Sequence, residues 1–224
     1  MLFRSWKADA VGIIVAIDGP AGSGKSTLAR GLALALEVPY VNTGLMYRAL
    51  AARALERGVD PDDGSGLLAL LSTLTFDLDR SSRPPELSID GAPPEPALTS
   101  SDVERVVSRV ARHRDVRAAM RDAQRALGGS GAVLEGRDIG TVVFPDAAAK
   151  LFLVARQDAR VARRGAERGG EVESEVLLGR DERDAEVNPF VPAPDAVELD
   201  TSDLSREETL SRALAVVRAR IGGR

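Results

Sequence analysis

The stretch from Gly12 to Pro39 constrains this chain more than any other part of it. Gly12-Ile13-Ile14-Val15-Ala16-Ile17 is a short, unbroken, β-branched run, which suits a strand buried on both faces of a parallel sheet. From Lys25 the period changes to that of a helix, with Leu28, Leu32, Ala35 and Leu36 on one face and Pro39 fixing the stop. Between them, Gly19-Pro20-Ala21-Gly22-Ser23-Gly24-Lys25-Ser26 matches G-x-x-x-x-G-K-[ST], with Thr27 beside it. Strand, glycine loop and helix in this order make an anion nest. Successive main-chain N–H groups and the positive helix end face a phosphate, Lys25 reaches the outer phosphates, and the Ser26 hydroxyl is offered to Mg²⁺. The bland reading of the same residues is a turn that merely joins strand to helix.

Composition narrows the chemistry. The 224-residue chain has no cysteine and one histidine, His113, so disulfides, thiolate nucleophiles and Cys-type zinc sites are excluded and a His-based triad is improbable. A formal net charge of −4 does not indicate bulk binding to nucleic acid or to an anionic membrane. Lysine occurs only at positions 7, 25 and 150, so 27 of the 30 basic residues are arginines, and arginine clamps phosphate oxygens in pairs. The longest early apolar run, from Val11 to Ile17, is too short to span a bilayer, and a cytoplasmic protein is expected. Residues 1–12 read as a loose tail in which Trp6 has no assigned place.

Further along, a strand at 38–41 precedes a helix capped by Thr43 that runs to Arg57 and stops at Gly58. Two alternating runs, 74–79 and 86–90, flank a Ser-Ser-Arg-Pro-Pro turn and read as an inserted antiparallel hairpin. Ser101 and Glu104 have the spacing of a capping box for a helix whose Val103, Val106, Val107 and Val110 face a core, and a second helix follows over 115–127. Apolar segments at 132–134, 151–154 and 196–199 supply three more strands, and a last helix covers 205–221 with Thr209, Leu210, Leu214 and Val217 inward. Alternation of this kind predicts an α/β fold with an open parallel five-stranded sheet flanked by helices. The core is expected over 13–71 and 113–224, with a small insertion at 72–112 and an Arg-rich lid at about 157–190.

Among phosphate-loop proteins, a guanine-nucleotide switch needs an Asn-Lys-x-Asp base reader, which this chain lacks, and Val133-Leu134-Glu135 only imitates the acid-ended strand of a RecA-type or transporter ATPase. Transfer between two small molecules needs a second anion site and cations for the moving phosphoryl group. Gly136-Arg137-Asp138 lies just past a strand end, where open α/β sheets bind ligands, although a local ion pair fits these residues equally well. Thr43 to Arg48 opens a helix that could hold a phosphate or serve structure alone.

Taken together, Ile17 to Ser26, the Thr-Gly-x-x-Tyr-Arg at 43–48, Gly-Arg-Asp-Ile-Gly-Thr-Val-Val-Phe-Pro-Asp-Ala at 136–147 and Arg180-Asp181-Glu182-Arg183-Asp184 resemble the bacterial cytidylate kinases. The resemblance implies a nucleoside monophosphate kinase that uses ATP and Mg²⁺ to phosphorylate CMP or dCMP, acting as a monomer. It makes Ser108, Arg117 and Asp138 the cytosine readers, and Thr43, Tyr47, Arg48 and Arg137 the surroundings of the monophosphate. Arg180 and Asp184 become ribose and lid contacts, with Lys25, Arg137, Arg180 and Asp184 serving the transfer. Val187 stands where the family has a further arginine, which leaves one contact to be replaced, with Arg183 a candidate. Arg160 is taken as an ATP contact that could swing in with Arg163 and Arg164, against a default reading of this stretch as an exposed charged face. Asp18 is a candidate outer-sphere partner of Mg²⁺, and His113 is read as structural. Rival readings are a kinase for UMP, AMP or shikimate, and a nucleotide sensor without turnover.

Overall fold

The protein is described here by a computed structural model covering residues 12–168, 179 and 191–222. Five strands form the parallel core of the sheet, which β4 (Glu86–Ile89) extends in parallel: β1 (Ile14–Asp18), β2 (Tyr40–Asn42), β5 (Ala132–Gly136), β6 (Ala149–Val154) and β7 (Val197–Asp200). The expected hairpin forms from β3 (Phe76–Asp79) and β4 (Glu86–Ile89), and it does not stand apart from the sheet. Tyr40 pairs with Glu86, so the order is β3-β4-β2-β5-β1-β6-β7, seven strands with β3 alone antiparallel to its neighbour. Arg30 reinforces that junction, lying over the Tyr40 ring and pairing with Glu86 at 2.7 Å.

Alternation along the strands divides the core between the two faces of the sheet. Val15 and Ile17 of β1 and Val133 of β5 join α1 (Lys25–Leu36) and the C-terminal α7 (Arg206–Gly222). Ala16, Ala132 and Leu134 point the other way, toward α2 (Thr43–Arg57), α3 (Gly64–Leu71), α4 (Ser101–Ala111) and α5 (Arg114–Gly128). A period of two puts neighbouring residues on opposite faces, and the unbroken apolar run Ile14 to Ile17 of β1 follows because both faces are covered. After β6, α6 (Gln157–Arg168) packs against the glycine loop.

Local boundaries differ from expectation in instructive ways. The second strand is shifted to Tyr40–Asn42, and the cap of α2 is Asn42, whose side chain accepts from the Leu45 N–H, with Thr43 already helical. Gly58 ends that helix in the left-handed region (φ 66°), as its lack of a Cβ allows. The cap of α4 is Ser100 and not Ser101, so the Ser101/Glu104 box does not form. Glu104 is drawn instead to two arginines. Helix α3 has no counterpart in the sequence reading; Asp63 caps it and Leu67 and Leu71 bury it. His113 precedes α5 and its Nε2 lies 2.9 Å from the Pro61 carbonyl, a structural contact. Residues 1–11, including Trp6, and the segment holding Arg180, Arg183, Asp184 and Val187 fall outside the described residues.

Candidate active site

The carboxyl ends of β2 and β5 and the loop after β1 surround a cavity of about 280 Å³. Its floor is the glycine loop. Gly19 (φ 145°) runs so close to β6 that a Cβ there would meet the Leu153 carbonyl oxygen at 2.3 Å, and one on Gly22 (φ 73°) would meet the backbone of Arg160 at 2.9 Å. Any larger residue at either position would force the loop or its neighbour to shift. Gly24 opens α1 without a side-chain cap, so this helix end has no side chain of its own competing for its first N–H groups. Lys25 curls back over the loop, its Nζ donating to Pro20 O at 2.7 Å, while Ser26 and Thr27 also line the cavity.

The opposite wall is built by side chains from three helices and one loop. Arg48 of α2 is buried and donates to Leu98 O at 3.1 Å and to Glu104 at 2.8 Å. Arg117 of α5 pairs with Asp138 at 2.9 Å, each about one-fifth to one-quarter exposed, and Ser108 of α4 lines the same end. Tyr47 stands beside them; burial first, and the Asp138 charge second, hold its hydroxyl well above the ordinary phenol range. Thr43 donates to Glu135 O at 2.7 Å and Arg137 to Gly19 O at 2.6 Å. The residues expected to meet the acceptor, Thr43, Tyr47, Arg48, Ser108, Arg117, Arg137 and Asp138, all line this cavity together with the loop.

Asp18 does not line the cavity itself. Its carboxylate accepts the N–H groups of Ile139 and Gly140, each at 2.8 Å, and so ties the end of β1 to a π-helical turn (Ile139–Val143). Burial pushes its pKa up to about 6 despite those two donors. The turn begins directly after Arg137 and Asp138, so Asp18 fixes the segment that carries both.

Three residues count for more here than the sequence suggested. Glu135 is buried beside the glycine loop because β5 inserts next to β1, and it accepts from the Tyr40 hydroxyl at 2.6 Å. Burial, then the Glu135 charge, raises the Tyr40 hydroxyl far above its usual range. Arg160 and Arg164 turn inward where an exposed face was the default. Arg160 donates to Ala21 O at 3.2 Å behind the loop, and Arg164 reaches Glu104 at 3.0 Å. Arg163, between them, donates to Thr201 Oγ1 at 3.0 Å. Their spacing gave the helical period but not which side would meet the glycine loop and α4.

The arrangement is a glycine loop facing an arginine wall that also carries the Asp138 carboxylate. The cytidylate kinase family model matches residues 15–219. A cytidylate kinase from Thermus thermophilus is 45% identical over 207 residues, 92% of this chain and 98% of that protein. One from Geobacillus kaustophilus is 43% identical over 220 residues, 94% of this chain and 98% of that protein. Among solved structures, a gluconokinase from Sinorhizobium meliloti aligns over 95% of both chains at 17% identity with a TM-score of 0.46.

Proposed function

The chain belongs to the cytidylate kinase family, and from that premise we propose that it transfers the γ-phosphoryl group of ATP to CMP or dCMP, giving ADP and CDP or dCDP. The observation that carries the reading is the single cavity in which the Lys25 loop faces Arg48, Arg137 and the Arg117–Asp138 pair.

The acceptor phosphate is already a nucleophile, so no general base is required. One of its oxygens attacks the γ-phosphorus, the bond from that phosphorus to the β,γ-bridging oxygen breaks, and ADP leaves. The protein's part is positioning and charge stabilisation. Loop amides and Lys25 hold the β and γ phosphates, and Arg48 and Arg137 hold the acceptor phosphate in line. Arg137 bonds the loop through Gly19 O, so the acceptor wall is registered directly against the donor loop. Arg180 and Asp184, outside the described residues, are kept as contacts to ribose and phosphates.

A Mg²⁺ ion fits this donor set. No group of three or more His, Asp or Glu side chains suited to a metal occurs among the described residues, whereas kinase Mg²⁺ is bound mainly by phosphates and water with one or two protein oxygens. The Ser26 hydroxyl, with the Glu135 carboxylate on the same cavity lining, would supply those oxygens. When bound, the ion neutralises charge on the β and γ phosphates.

Base choice follows from donor and acceptor polarity. The Asp138 carboxylate accepts from the exocyclic amine of cytosine, while Arg117 and Ser108 donate to its ring acceptors. Uracil would set a carbonyl oxygen against the carboxylate and leave buried groups unpaired. The proposed enzyme is taken as a cytoplasmic monomer, and no helix among the described residues is long and apolar enough to cross a membrane. The test is ADP release with a panel of acceptors. CMP and dCMP should exceed UMP and AMP, and Asp138→Asn should lower kcat/KM for CMP by roughly tenfold or more, the scale of losing one charged hydrogen bond. Equal use of UMP would refute the base assignment, and ATP binding without acceptor-dependent turnover would favour a sensor.

A further inference from the structure

Helix α4 carries Val103, Val107 and Val110 into the core, and Glu104 shares that inward side with its side chain only 11% exposed. A carboxylate so placed must be compensated, because an isolated buried charge is too costly to keep. Compensation comes from two directions. Arg48 reaches it from α2 at 2.8 Å and Arg164 reaches it from α6 at 3.0 Å, and both guanidinium groups meet the same oxygen, Oε1. Arg48 and Arg164 also line the cavity that holds the glycine loop. Two guanidinium groups converging on one anionic oxygen is the geometry in which arginines hold a phosphate.

We infer that Glu104 is a resident counter-ion of the acceptor-phosphate site: it occupies Arg48 and Arg164 while no phosphate is bound, and an incoming phosphate competes with it for them. This rests on the reading of Arg48 as a holder of the acceptor phosphate. Glu104 acts through the arginines and is a positioning residue. Two like charges held this close repel unless an anion lies between them, and a carboxylate built into α4 supplies one. A phosphate dianion carries more charge and more acceptor oxygens than the carboxylate, so it can take over guanidinium N–H groups that Glu104 holds. The carboxylate stays nearby and opposes the new charge. Phosphate binding is therefore weaker than the arginine count alone would give, which eases loss of the diphosphate product.

The prediction has a definite sign. Glu104→Gln keeps the shape and the accepting oxygen but removes the competing charge. It should tighten CMP and inorganic phosphate by roughly tenfold in titration calorimetry and lower KM for CMP without raising kcat. Cytidine, which has no phosphate, should bind within about twofold of the unmodified protein, a contrast that a merely structural role for Glu104 would not produce. Glu104→Asp keeps the charge and should leave CMP affinity within about twofold, so it separates charge from shape. Unchanged or weaker CMP binding by folded Glu104→Gln would overturn the inference, as would equal tightening of cytidine or an Asp variant that behaves like the Gln one. Thermal melts establish that the variants are folded. Turnover of CMP by the unmodified enzyme is scored in the same experiment, so loss of the kinase reading is told apart from loss of the counter-ion.

Discussion

Asp18 shows how one side chain can serve position at the expense of stability. Its two oxygens take the N–H groups of Ile139 and Gly140, which only the ionised form can do fully, yet burial pushes its pKa up to about 6 from an ordinary 3.8. Between those two values the folded chain retains a proton that the unfolded chain has lost. Its contribution to stability therefore falls as pH rises from about 4 to about 6, the reverse of a salt-bridged carboxylate, and the cost levels off above that at about 3 kcal/mol. Asp18→Asn removes this titration. The melting temperature of the variant minus that of the unmodified protein should climb between pH 4 and 6 and then flatten; a difference that falls over the same range would show the ionised form to be stabilising. None of this was readable beforehand, because the partners lie more than 120 residues away. The Arg117–Asp138 pair spans only 21 residues and each member sits in a recognisable block, so the sequence names both. Glu135 was discounted because a strand's terminal acid has meaning only once its neighbour in the sheet is known.

At the scale of elements, two Ser-x-x-Glu spacings behave differently. At 205–208 the box closes in both directions, Ser205 N to Glu208 at 2.9 Å and Glu208 N to Ser205 Oγ at 3.1 Å, and it starts α7. At 101–104 the same spacing fails, since Glu104 is held by two guanidinium groups and the chain turns helical one residue sooner, from Ser100. A charge-assisted pair in a dry site outweighs an exposed cap, so tertiary context overrides the local signal. Ser205→Ala should then cost about 1 kcal/mol in urea unfolding while Ser101→Ala costs next to nothing; comparable losses would mean that both boxes form. Periodicity and terminators made α1, α2, α4, α5 and α7 legible to within a residue or two. Helix α3 was not, because it is eight residues long, begins Gly-Ser-Gly, and exists through the burial of Leu67 and Leu71.

At the scale of the molecule, strand alternation was legible and strand order was not. No local pattern says that β5 inserts between β1 and β2, or that the hairpin prolongs the sheet beyond β2. That order makes the site. It sets the loop after β1 beside the Arg137–Asp138 segment after β5, with α2 and its Arg48 on the far side, so the glycine loop and the arginine wall face one another across one cavity. If they do face, a single molecule joining adenosine and cytidine through five phosphates should occupy both at once. Its second half then binds at the effective concentration set by the linker, and its affinity should exceed that of ATP or CMP alone by about a hundredfold or more. Calorimetry should give one molecule per chain, and the melting temperature should rise further than with both nucleotides at the same concentration. Two molecules per chain, or an affinity no better than that of ATP, would mean that the nest and the arginine wall cannot be bridged, and direct transfer between them would then have no structural basis.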